Sequence, residues 1–206
     1  MGIADFQRAL ADMTLDSRFA ATVRRHGVAA LGDYELTPLE SHRLESIAGQ
    51  KGMSLCCTLA RANRFGPIND AFPMTCVLLE PQLRAILDDL WSRHRPDNYQ
   101  LAGEETAFAA CLDDLVSRQQ LSVEYLDEVF AYEKACWSIA SEFRFRARSD
   151  AGGVPRRVTF RHDPGILLSC LGRFESPPPG LPEGRYEVTV AECDGELTVE
   201  WDQATL

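Results

Sequence analysis

A metal-dependent or nucleophilic reaction would have to draw on four histidines and seven cysteines, and their spacing offers it little. His26, His42, His94 and His162 are scattered, with no pair four residues apart on one helical face, the spacing at which two imidazoles grip one cation. A site gathered in space from His42, His94 and acidic residues stays open. So does an acid–base pair of His162 with Asp163, against which stands the reading of Asp163 as a helix cap beside a strand-end histidine. Ser54, Ser138 and Ser169 lie in no Gly-x-Ser-x-Gly elbow. Cys56 and Cys57 are neighbours on a helical stretch, so they point in different directions and form no redox pair. An odd cysteine count without a Cys-x-x-Cys motif reads as reduced, small apolar fillers. No catalytic residue and no metal ligand is assigned.

The charged residues say more. Arg144, Arg146, Arg148, Arg156, Arg157, Arg161 and Arg173 cluster late in a chain of net charge −10 and pI near 4.9. They could receive an acidic peptide, an acidic partner face or phosphate, or else pair with the acidic hairpin or be simply solvated. Glu133, on an otherwise apolar helix, reads either as a buried polar anchor or as an i, i+4 pair or cap contact. The acidic balance argues against general nucleic-acid binding, which needs basic surface to neutralise phosphates. A helical DNA-binding regulator would want a basic recognition helix, whereas the best-defined helix, Glu80 to Arg95, bears Asp88 and Asp89. No segment is apolar enough to span a bilayer, and the opening residues show no basic region followed by a long apolar run. The expected compartment is the cytoplasm.

The elements that would position these residues change character once, at Ser149-Asp150-Ala151-Gly152-Gly153. Before it, apolar residues recur at helical spacing; after it, they alternate. The expected fold is α+β: a mainly helical domain over residues 1–148, then a small β-rich domain over 149–206 with an antiparallel sheet of about three strands. Asp16 can cap a helix running through Phe19, Val23 and Val28 to a left-handed stop at Gly32. Thr37-Pro38-Leu39-Glu40 has the residues of a capping box with proline at the first helical position. Pro67 and Pro73 are expected to divide residues 63–75 into turns or helix ends. Helices follow from Glu80, from Glu104, and from a cap at Ser122.

In the tail, Val158 and Phe160 fall on one face and Arg157, Thr159 and Arg161 on the other. Arg185 to Cys193 and Glu196 to Asp202 form a hairpin about Asp194-Gly195, with Val190 facing Val199 and Val188 facing Trp201. A lone hairpin is marginal in water, so Arg156 to Arg161 is expected as a third strand, covered by a short helix through Ile166 and Leu171. Such a sheet keeps two edges, and an edge is a template for an extended peptide.

Two stretches carry a resemblance. Leu59-Ala60-Arg61-Ala62-Asn63-Arg64-Phe65, leading to Phe72-Pro73-Met74-Thr75 and the Glu80-Pro81 helix, resembles the helical domain of partner proteins of multinuclear non-heme iron oxidative enzymes. Tyr125-Leu126-Asp127-Glu128-Val129-Phe130-Ala131-Tyr132-Glu133-Lys134-Ala135 is similar to a later helix of that family. Within it, the length and the tail Phe160-Arg161-His162-Asp163-Pro164-Gly165-Ile166-Leu167-Leu168 resemble the MbnC-type accessory subunits of methanobactin biosynthesis.

The resemblance implies a non-catalytic subunit in a heterodimer with an MbnB-like iron enzyme that uses dioxygen. Such a complex converts cysteines of a ribosomal precursor peptide into oxazolone and thioamide groups, giving a copper chelator. A related class, of the 3-thiaglutamate type, would use the same partner logic on a different cysteine peptide. Iron is then expected on the partner and no cofactor in this chain; the partners are that enzyme and the precursor's leader, with neither nucleic acid nor membrane. The leader is expected to add as a strand along Arg156, Arg157, Val158, Thr159, Phe160 and Arg161, the basic edge with alternating residues, or else along the outer hairpin strand near Glu196 to Trp201.

Overall fold

The computed structural model describes residues 3–94, 103–145, 154–193 and 196–203. They form helices α1 (Ile3–Leu15), α2 (Ser17–His26), α3 (Pro38–Ala48), α4 (Lys51–Ala71), α5 (Pro73–Leu78), α6 (Glu80–Arg93), α7 (Glu104–Ser117) and α8 (Leu126–Phe145). Strand β1 (Arg156–His162), helix α9 (Pro164–Gly172) and strands β2 (Glu183–Cys193) and β3 (Glu196–Gln203) complete the chain. The class is α+β: a helical body followed by a small antiparallel sheet.

Two compact units emerge, residues 1–66 with 91–101 and residues 67–90 with 102–206. In the first, α1, α2, α3 and the start of α4 close on Ala9, Met13, Val23, Leu31 and Leu44, all essentially removed from water. Local chemistry sets the boundaries of these helices. Asp16 caps α2 by accepting from the Arg18 amide at 2.8 Å. The left-handed residue that stops α2 is Gly27 (φ +62°), not Gly32, and a short 3-10 turn, Gly27–Leu31, follows. Gly27 is the first residue after α2 able to take that φ without strain, so the stop comes five residues early.

At α3 the capping box is complete. Thr37 Oγ1 accepts from the Glu40 amide at 3.3 Å, and Glu40 reaches back to accept from the Thr37 amide at 2.8 Å. Replacing Thr37 by Ala removes one half of this exchange. Thermal unfolding of Thr37→Ala is expected to show a loss of about 1 kcal/mol, the usual cost of an N-cap.

Pro67 departs from the sequence expectation by lying inside α4, which continues to Ala71. Proline removes the bond to the carbonyl four residues back. That carbonyl belongs to Asn63, an exposed residue, so water can satisfy it and the helix persists. The break comes at Phe72 instead, whose extended-side backbone (φ −134°, ψ 50°) leads into Pro73 at the start of α5.

The second unit buries Phe72 among Phe108, Phe130 and Trp137, with ring centroids 5.6–5.9 Å apart. The sheet has order β1-β2-β3, antiparallel throughout. Val188 pairs with Trp201 and Val190 with Val199, the register read from the hairpin's alternation. The turn residues Asp194 and Gly195 lie outside the described residues, as do Ser149 to Gly153. Val158, Phe160, Val188 and Val190 share one core with Val129 and Ile139 of α8 and Leu167 and Leu171 of α9. The change of hydrophobic period therefore marks a change of secondary structure inside one core, and the unit boundaries fall elsewhere in the chain. No helix among the described residues is long and apolar enough to cross a membrane.

Candidate functional site

The three-strand order leaves β1 and β3 at the margins and β2 fully paired between them. A margin strand carries backbone donors and acceptors with no ladder partner, the feature by which a sheet takes up another strand. The two margins are built differently.

Along β1, the inward residues Val158 and Phe160 are buried, and Phe160 meets Tyr132 of α8 edge-on. Arg157, Thr159 and Arg161 stand together on the exposed face. Arg156 donates to Glu142 of α8 at 2.6 Å, Arg157 lies 3.4 Å from Glu187 of β2, and Arg161 lies 3.8 Å from both Asp127 and Glu128. Arg173 pairs with Glu175 at 2.9 Å. Arg156, Arg157, Arg161 and Arg173 thus lean on the chain's own carboxylates, mostly those of α8 and not of the hairpin, and loosely where both groups are solvated. Arg146 and Arg148 lie outside the described residues.

The end of β1 is tied more firmly. Glu128, only 3% exposed, accepts from the Arg161 amide at 2.7 Å and the His162 amide at 3.1 Å, and its other oxygen lies 2.7 Å from His162 Nδ1. His162 packs edge-on against Tyr125 at 4.8 Å. The Arg161 amide of the expected recognition edge, and the His162 amide just beyond it, are therefore already occupied. The carboxylate beside His162 is Glu128, 34 residues away, and Asp163 is a cap whose oxygen accepts from Gly165 and Ile166 of α9. Sequence offered no signal for Glu128 in this role.

Tyr125 differs from expectation too. α8 starts at Leu126 and not at a Ser122 cap, because Tyr125 adopts a left-handed backbone (φ 66°). Its hydroxyl donates to the Pro178 carbonyl and accepts from the Leu181 amide, both at 3.4 Å, with the ring buried. Burial raises its pKa above the usual phenol value. Packing of the ring offsets the roughly 1–2 kcal/mol such a backbone costs.

Glu133 is buried, and it is at the same time the cap contact that the sequence left as the alternative. Its oxygens accept from the Met74 and Thr75 amides in the first turn of α5 at 2.7 and 2.8 Å. Burial pushes its carboxyl up to about 7 against the lowering effect of those bonds. The neighbouring Cys76 thiol is pushed up to about 12 by the same desolvation, so it stays protonated and unreactive.

The histidines do not converge. His42 Nδ1 bonds the Pro38 carbonyl on its own helix, and His94 offers its carbonyl to the buried Arg64, whose guanidinium lies over Trp91. Among the described residues no group of three or more His, Cys, Asp or Glu is placed to hold a metal ion. All seven cysteines are free.

No family model, curated protein or solved structure matches this chain.

β3 is the margin without such a tie among the described residues. Among the described residues its backbone hydrogen bonds run to β2 alone. Its inward side chains Leu197 and Trp201 are 45% and 50% exposed, Trp201 opposite the buried Val188 and Leu197 opposite the half-buried Glu192. Trp201 reaches α9, where a methyl group added at Gly165 would sit 3.5 Å from its ring, and Ile166 beside it is 42% exposed. An apolar shelf thus flanks an unfilled backbone edge.

Proposed function

We propose that this chain is a non-catalytic subunit of a heteromeric, iron-dependent peptide-modifying complex. It binds the leader of a ribosomal precursor peptide, and the partner enzyme holds the iron and oxidises the precursor's cysteines to oxazolone and thioamide groups. The observation that carries this reading is the open β3 margin with its apolar shelf, because main-chain bonding along an edge suits an extended leader of variable sequence. The likeness of the Leu59–Phe65, Tyr125–Ala135 and Phe160–Leu168 stretches to accessory subunits of such complexes supports it from the sequence side. In this role the chain needs no reactive group. Holding the leader raises the effective concentration of the tethered cysteines near the partner's metal, which lowers the entropic part of the barrier.

The test is co-expression with a candidate MbnB-like iron enzyme. A stable complex in size-exclusion chromatography is expected, with iron co-eluting in the complex and substoichiometric in the isolated chain. Separate elution of the two proteins, or a full complement of iron in this chain alone, would sink the reading.

A further inference from the structure

The guest strand's sequence pattern is written on β3. Side chains alternate across the sheet, and the pairs Val188–Trp201 and Val190–Val199 put Leu197, Val199 and Trp201 on the face of the buried β2 valines. Glu196, Thr198, Glu200 and Asp202 then occupy the opposite face, all exposed. On β1 the outward arginines have carboxylates of this chain within 4 Å. No basic side chain of the described residues makes an ion pair with Glu196, Glu200 or Asp202. The outermost strand therefore offers an incoming neighbour three carboxylates on one face and three large apolar side chains on the other.

We infer that β3 selects an extended segment in which basic residues alternate with branched or aromatic apolar residues, bound as a fourth strand beside β3 and not beside β1. This rests on the peptide-binding reading above and gives it a substrate class. Cross-strand neighbours on one face lie close enough for opposite charges to attract and like charges to repel, each pair contributing up to about fivefold in affinity. A guest with Lys or Arg at alternate positions sets them against Glu196, Glu200 and Asp202, while its apolar residues extend the shelf of Leu197, Trp201 and Ile166. The same carboxylates exclude a second copy of this chain. A two-fold β3–β3 pairing would set acidic residues of both copies on one face, so the open edge is guarded against self-association.

Three fluorescein-labelled octapeptides, matched to the eight residues of β3, test this on the full chain. They are four Lys-Val repeats, four Glu-Val repeats, and a block of four Lys followed by four Val. Anisotropy titration at low salt is expected to give the Lys-Val repeat a Kd at least tenfold below the other two, with the gap shrinking in 0.5 M salt. Hydrogen exchange should slow at Leu197 to Trp201 on binding. The exposed double variant Glu196→Lys/Glu200→Lys should invert the preference toward the Glu-Val repeat.

Equal affinity for the Lys and Glu repeats, protection falling on β1, or β3 protection arising from concentration-dependent dimers without peptide would each overturn the inference. Binding of the precursor's own leader despite such a result would leave the accessory-subunit reading standing. Conversely, a selective Lys-Val response in a chain that never associates with the iron enzyme would retain the strand preference and remove that reading.

Discussion

Replacing Glu128 by Ala is expected to lower the stability of the unit that contains it by about 3–5 kcal/mol, the cost of removing one partner from a buried charged network. The size follows from what the carboxylate does. It is 3% exposed and accepts three hydrogen bonds of 2.7–3.1 Å from the Arg161 amide, the His162 amide and the His162 ring. Truncation strands two amides and an imidazole against Tyr125, and each orphaned donor costs about 1–3 kcal/mol. The Arg161 guanidinium adds little, being 3.8 Å away and largely solvated. Urea unfolding measures the loss, and native-state hydrogen exchange should show the Arg161 and His162 amides speeding up most. A change below about 1 kcal/mol would mean that the tie between α8 and the end of β1 is incidental. Glu128→Gln retains one carbonyl acceptor and is expected to fall between Ala and the parent.

That tie shows where the sequence was readable and where it was not. Signals spanning a few residues translate directly into structure: the Thr37–Glu40 capping box, the Asp163 cap of α9, and the Val188–Trp201 and Val190–Val199 register, which alternation alone specifies because a one-residue slip would expose both valines. Signals that depend on tertiary surroundings do not. Pro67 is tolerated in α4 because Asn63 is solvated, and Tyr125 accepts a left-handed backbone because its ring packs on His162 and its hydroxyl finds partners over 50 residues away. The three-stranded sheet was legible. Which strands form its margins, and how those margins differ, was not, because that depends on the strand order, on Glu128 meeting β1 and on how far α9 covers Leu197 and Trp201. The arginines that drew attention to β1 are the ones with carboxylates nearby, whereas the acidic face of β3, which reads as a plain solvated surface, is the one left without cations.

Glu133 gives the second large effect, one that depends on pH. Its carboxyl is raised from 4.5 to about 7 by burial, so the folded chain holds this proton more tightly than the unfolded chain does. The stabilisation tied to protonation is complete below about 4.5 and is lost as pH climbs through about 7. At about 1.4 kcal/mol per pH unit this amounts to at most about 3 kcal/mol. A difference measurement isolates Glu133. Glutamine at this position is neutral at every pH and keeps an acceptor for one of the Met74 and Thr75 amides, so it copies the protonated form imperfectly but without titrating. The stability of Glu133→Gln minus that of the parent should therefore rise by about 2–3 kcal/mol between pH 4.5 and 8, whatever its absolute value at either end. Urea unfolding at a series of pH values checks this. A flat difference would show that the two α5 amides stabilise the carboxylate enough to cancel its burial, and α5 would then be anchored by a full charge at neutral pH.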